Sequence, residues 1–277
     1  MPKAEVKKRV AVVGGGPGGI QAMQTLLDRG HDVTLYEKTG ELGGNVIPAV
    51  AADFKNDLRD YLKWMRHTAD QCVERGARIL LNTEATRELL EKEGYDAVIV
   101  AIGAEPVIPK VPGADLPHVC WAPEADAGEK PCGQKVVVVG AGAIGLEAAI
   151  DMQREGKDVT VIELLDDYVS LRRSGNAGAA EFLRLIDAMQ LDVRLSHKLL
   201  EITPTDVLCE NVKTGERLRL PADTVLLAVG LKAKWDEANE LRQACEGTLG
   251  FLIGDCLNPD GNVKEATSGA LSAAGYL

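Results

Sequence analysis

The chain has 277 residues, 45% hydrophobic and 26% charged, which excludes a disordered chain and suits more than one folded core. Acids outnumber bases 42 to 31, a formal charge of -11, so a nucleic-acid partner is excluded by repulsion from its phosphates. No stretch approaches the roughly 20 apolar residues of a membrane span, and the charged start of the chain lacks an apolar signal core, so a cytoplasmic location with no membrane partner is expected. The first predicted strand, 10–13, is a short apolar run of the kind buried in parallel sheets. It leads into Gly14-Gly15-Gly16-Pro17-Gly18-Gly19, a G-x-G-x-x-G pattern. There Gly14 permits the tight turn, Gly16 lets a pyrophosphate approach the backbone, and Gly19 lets the next helix pack on the strand. That helix would aim its free N–H groups and positive dipole end at the phosphates, and it stops at Gly30. A second strand, 32–36, ends in Glu37-Lys38; Glu37 lies 23 residues after Gly14, the spacing of a ribose-binding carboxylate. An amphipathic helix over 54–75 carries Leu58, Tyr61, Leu62, Met65 and Ala69 as a stripe that reads as core. Pro106, Pro109, Pro112-Gly113 and Pro117 mark a linker.

Residues 136–163 then repeat residues 10–37 at an offset of 126, without gaps and with 12 of 28 positions identical. Strand 136–139 enters Gly140-Ala141-Gly142-Ala143-Ile144-Gly145, a helix ends near Gly156, and strand 158–162 ends in Glu163. Two dinucleotide motifs in one chain point to two cofactors that exchange electrons. Further on, strand-like segments at 192–196, 199–203, 207–211 and 217–220 suit an antiparallel meander, and a last helix spans about 262–277.

With these motifs the sequence resembles the flavoproteins with two dinucleotide-binding domains, the pyridine-nucleotide-dependent flavin oxidoreductases, over nearly its whole length. The resemblance implies an α/β fold of two nested Rossmann-like domains. An FAD-binding domain would comprise 1–113 and 232–277, with an NAD(P)-binding domain, 114–231, inserted into it. For FAD it implies Gly14, Gly16, Pro17, Gly18 and Gly19, with Glu37 and Lys38. It adds the Glu41-Leu42-Gly43-Gly44-Asn45 loop beside the pyrophosphate and ribityl chain, and Ala85 beside adenine. Ala101, Ile102 and Gly103 form a small-residue turn, and Gly254-Asp255 resembles the Gly-Asp whose carboxylate holds a ribityl hydroxyl. The last helix would aim its N-terminus at the flavin pyrimidine edge. For NAD it implies Gly140, Gly142, Ala143, Ile144, Gly145 and Glu163, with Val229 and Gly230 closing that domain. Glu147 reads either as a residue near the nicotinamide or as a charged helix face. Within the superfamily, 41–62 is most like the C-terminal region of 2-enoate reductase and 2,4-dienoyl-CoA reductase-type enzymes. Those enzymes normally carry an FMN barrel and an iron–sulfur cluster before this region, so the chain would be a portion or a separate subunit of such an enzyme.

Relatives that reduce disulfides need paired thiols beside the flavin. The six cysteines, at 72, 120, 132, 209, 245 and 256, include no C-x-x-C pair, and the segment after Gly44 has no Cys. Thiol chemistry is therefore disfavoured, no metal site is expected, and no catalytic acid or base is named. Glu163 would repel a 2′-phosphate and Leu164-Leu165 offer no cation, which favours NADH, although Arg172 and Arg173 could reach a phosphate. The leading expectation is an NADH-dependent FAD oxidoreductase feeding an FMN and iron–sulfur domain or subunit. The alternatives are a non-catalytic ADP-binding structural domain and a reductase of a diffusible electron carrier. A homo-oligomer is left open.

Overall fold

The computed structural model describes residues 1–50, 56–128, 130–168, 179–244, 249–259 and 261–277. The first elements are β1 (Arg9–Val13), α1 (Pro17–Arg29), β2 (Asp32–Tyr36), α2 (Val46–Ala49), α3 (Asn56–Glu74), β3 (Arg78–Leu80), α4 (Arg87–Glu93), β4 (Ala97–Val100) and β5 (Ala104–Pro106). Next come β6 (Val119–Trp121), α5 (Ala122–Asp126), β7 (Lys135–Val139), α6 (Ala143–Arg154), β8 (Asp158–Ile162) and α7 (Ala179–Met189). They are followed by β9 (Asp192–Arg194), β10 (His197–Ile202), β11 (Asp206–Asn211), β12 (Arg217–Pro221) and β13 (Thr224–Leu227). The remaining elements are β14 (Leu231–Ala233), α8 (Trp235–Arg242), β15 (Leu249–Leu252), a 3-10 turn at Gly254–Cys256 and α9 (Val263–Tyr276).

These elements form two compact units. The first gathers Met1–Ile47, Asn56–Glu105 and Leu231–Leu277, and the second is built on Pro106–Gly230. The first holds a five-stranded parallel sheet, β15-β4-β1-β2-β3. Strand alternation sends Val10 and Val12 into a core with Met23, Leu26, Ala69 and Ala270, while Ala11 and Val13 enter a second core with Tyr36, Val98, Leu90 and Leu241. Burial on both faces explains why 10–13 is continuously apolar. On α3, Leu62, Met65 and Ala69 are buried as the stripe requires, whereas Leu58 and Tyr61 are half-buried and Tyr61 stacks on Trp64.

The second unit repeats the plan with a parallel sheet, β6-β13-β7-β8-β9. One face packs α5, α6 and α7; the other packs the antiparallel ribbon β10-β11-β12 through Leu199, Val207 and Leu220. The proline-marked segment belongs to this unit by packing: the Ile202 N–H donates to the Pro112 carbonyl at 2.9 Å, and Val111 and Leu116 pack on its core. One expectation is corrected. The segment 192–196 is not part of the meander, because β9 pairs in parallel with β8, Thr160 opposite Asp192. Periodicity reports burial and not pairing direction, so a three-residue edge strand reads the same either way.

Candidate functional site

The sequence repeat persists down to single hydrogen bonds. In the first unit Gly14, at φ +106°, donates its N–H to the Tyr36 carbonyl at 2.8 Å; in the second, Gly140, at φ +109°, donates to Ile162 at 2.8 Å. A Cβ on Gly14 would fall on the Ala101 carbonyl oxygen, and one on Gly140 on that of Ala228. The small residues Ala101 and Ala228 thus meet the first glycines of the two loops. A Cβ on Gly19 would collide with the Gly14 carbonyl, and one on Gly145 with that of Gly140. These third glycines let each helix start against its strand.

The terminal acids do more than the spacing suggests. Glu37 is buried; its Oε2 accepts the Gly15 N–H at 2.7 Å, and its Oε1 accepts the Thr39 N–H and hydroxyl, both at 2.8 Å. Glu163 does the same 126 residues on: Oε2 accepts the Ala141 N–H at 2.7 Å and Oε1 the Leu165 N–H at 2.8 Å. Each carboxylate fixes its glycine loop and keeps lone pairs for further donors such as ribose hydroxyls. The pattern fits a nucleotide at each loop.

Around the first loop, packing brings the remaining candidates together. The Gly43 N–H donates to the Gly15 carbonyl at 3.0 Å, and a Cβ on Gly44 would sit 3.2 Å from Gly16 Cα, so the Leu42–Asn45 segment lies against the first loop. A Cβ on Gly16 would find no heavy atom closer than 4.0 Å, which leaves an open approach to that backbone. A Cβ on Gly18, behind Pro17 in the first turn of α1, would meet Ile253 and Ala266. Ala85 and Ile102 join one core cluster, and Gly103, at φ +70°, turns the chain towards β5. Asp255 lies in the 3-10 turn after Gly254 and lines a cleft of about 440 Å³ with Asn258, Gly261 and Glu265. Burial, reinforced by the neighbouring Glu265 carboxylate, pushes the Asp255 carboxyl above the usual range. At α9, Asn262 caps the helix by accepting the Glu265 N–H at 3.1 Å.

In the second unit Gly142 is the N-cap of α6, with Ala143 and Ile144 in its first turn and half-buried Glu147 one turn on. Val229 and Gly230, the latter at φ +105°, follow β13. Arg172, Arg173 and Cys245 lie outside the described residues. Of the other cysteines, Cys72, Cys120, Cys209 and Cys256 are buried and Cys132 is partly exposed. Two residues escape sequence reading. Lys234, before α8, has its pKa lowered by burial and by the ammonium of exposed Lys38. Arg66 on α3 bonds the Glu41-Leu42 segment. No helix among the described residues is long and apolar enough to cross a membrane, and no group of three or more His, Cys, Asp or Glu among them could hold a metal.

A family model described as pyridine nucleotide-disulphide oxidoreductase matches residues 8–262. The cinnamate reductase of Clostridium sporogenes is 34% identical over 245 residues, which cover 87% of this chain and 36% of that protein. The NADH oxidase of Thermoanaerobacter brockii is 32% identical over 284 residues, covering 98% of this chain and 41% of that one. The solved structure of a 2-naphthoyl-CoA reductase with 2-naphthoyl-CoA matches at a TM-score of 0.87 and 27% identity, over 100% of this chain and 41% of that chain. The chain thus spans 36% to 41% of the length of these relatives.

Proposed function

The chain belongs to the pyridine nucleotide-disulphide oxidoreductase family, and on that premise we propose that it is an NADH-dependent FAD oxidoreductase module. Its electrons are destined for an FMN- and iron–sulfur-containing domain or subunit of the enoate-reductase type. The observation that carries this reading is the doubled loop, in which Glu37 and Glu163 each take a glycine-loop N–H at 2.7 Å beside a helix N-terminus. The names of the relatives, cinnamate reductase and 2-naphthoyl-CoA reductase, and the fraction of each that this chain spans support the downstream part.

FAD, when bound, supplies a centre that accepts a hydride from reduced nicotinamide. The protein's part is binding and orientation. The first loop and the N-terminus of α1 present N–H groups and positive potential to a pyrophosphate. Glu37, with Lys38 beside it, would serve the adenosine end of FAD, Gly43 and Gly44 would flank its pyrophosphate, and Asp255 would hold a ribityl hydroxyl. The N-terminus of α9 would favour negative charge on the bound flavin. In the second unit the loop Gly140–Gly145 would hold the nicotinamide dinucleotide. Glu163 would accept from a ribose diol and oppose a 2′-phosphate, which favours NADH over NADPH.

Anaerobic titration of the FAD-reconstituted protein with NADH tests the reading. Bleaching of the flavin absorbance at about one NADH per flavin is expected for a two-electron donor. Bleaching by NADPH but not NADH would overturn the choice of nucleotide. Failure to bind FAD with retention of ADP would replace the reading by that of a nucleotide-binding structural domain.

A further inference from the structure

We propose that Arg66 is a positioning residue that sets the gap between the two glycine loops of the first unit, and through it the affinity for the flavin dinucleotide. The proposal rests on the reading of that site as an FAD site. Arg66 stands on α3, and its guanidinium engages the second loop twice. Nη2 lies 2.7 Å from Glu41 Oε2, and Nε donates to the Leu42 carbonyl at 3.1 Å. From there the bonds run on without a break. The Gly43 N–H donates to the Gly15 carbonyl at 3.0 Å, and the Gly15 N–H donates to Glu37 Oε2 at 2.7 Å. Helix α3 is thereby tied through both loops to the acid that ends β2.

The loop is also supported from beneath. A Cβ on Gly43 would come within 2.6 Å of Leu62 Cδ1 and 2.7 Å of Ile47 Cγ1, so Leu62 and Ile47 stop the loop from sinking towards α3. Arg66 stops it from lifting away. Between these limits Gly44 and Gly16 lie back to back, leaving the approach to Gly16 open. An exposed ion pair alone contributes little. One turn earlier on the same helix, Lys63 and Asp60 form such a pair at 2.9 Å, with both side chains more than three-quarters exposed and no tie to either loop. Arg66 differs because it holds a backbone carbonyl of the loop as well as a carboxylate, which needs the planar fork of a guanidinium.

The test uses the full chain stripped of FAD, with FAD affinity read from quenching of flavin fluorescence. R66A is expected to raise the FAD Kd about tenfold or more, the loss typical of a charged hydrogen-bond donor. R66K, which keeps the charge but not the fork, is expected to recover part of that loss, and K63A to stay within about twofold of the parent. NADH affinity, melting temperature and, at saturating FAD, the flavin spectrum should not move. An R66A protein that binds FAD within about twofold of the parent would overturn the proposal. So would a parallel loss of NADH affinity, which would mark Arg66 as a general structural residue. If R66A does not fold, R66K decides: weakened FAD binding in a folded R66K protein supports the proposal, and parental affinity overturns it. If the parent chain itself binds no FAD, the reading of the site fails first and the proposal falls with it.

Discussion

His31 is buried just beyond α1, and its Nδ1 accepts the Lys8 N–H at 3.1 Å, while its Nε2 is buried with no hydrogen-bond partner among the described residues. Burial holds its pKa below 6.5; the charges of Arg29 and Lys8 lower it further, and Asp32 opposes them. A proton on Nδ1 would also set a donor against the Lys8 N–H. The folded state therefore keeps His31 neutral, while the unfolded chain takes up the proton near the ordinary value. His31 contributes its full stability above 6.5 and loses it as the pH falls from there through the lower folded value. Denaturation midpoints should accordingly drop between about pH 7 and pH 5, and His31→Asn, which can accept the same N–H without titrating, should flatten that drop. An unchanged slope in the variant would assign the acid sensitivity elsewhere. At this scale the sequence shows the acids and glycines because their spacing is local. It cannot show Arg66, which stands among Lys63 and His67 on the polar side of an amphipathic helix and whose partner carboxylate lies 25 residues away.

The glycines of the first loop separate two functions of one element. Gly19 is a packing residue: a Cβ there collides with the Gly14 carbonyl inside the β1–α1 junction, and backbone atoms cannot step aside. Gly16 is the N-cap of α1 with φ -81° and ψ -172°, a conformation open to any residue, and the space around its Cβ is free. Gly19→Ala should therefore destabilise the first unit by about 3 kcal/mol or more, as overpacking against backbone does. Gly16→Ala should leave the melting temperature nearly unchanged and weaken FAD by filling the approach to the backbone. Thermal denaturation and FAD titration of both variants check this, and equal stability losses would refute the division. Strands β1 and β7 were legible as apolar runs entering glycine turns, and β2 and β8 from their place between a helix-ending glycine and an acid. Strand β9 was not: Asp192–Arg194 offers one apolar residue between two charged ones, and only its pairing with β8 reveals which sheet it joins.

At the scale of the whole molecule, the offset of 126 holds for strands β1 and β7, for helices α1 and α6, and for the bonds from Gly15 and Ala141 to their acids. A repeat of this fidelity argues that both units are nucleotide binders, but it does not say where the electrons leave. Two facts bear on that. The chain covers 36% of the cinnamate reductase it resembles. The net charge of -11 would also slow encounter of this chain with an acidic carrier protein, since like charges repel within a Debye length of about 10 Å at 0.1 M salt. The FAD-loaded chain is therefore expected to oxidise NADH with a small neutral dye as acceptor and to consume none with an enoate as the only oxidant. With an acidic ferredoxin the rate should be low and should rise with ionic strength, the reverse of a complementary pair. NADH consumption on the enoate alone would put alkene reduction in this chain and remove the need for a downstream domain. A ferredoxin rate that falls with salt would reveal a basic docking face and favour the diffusible carrier.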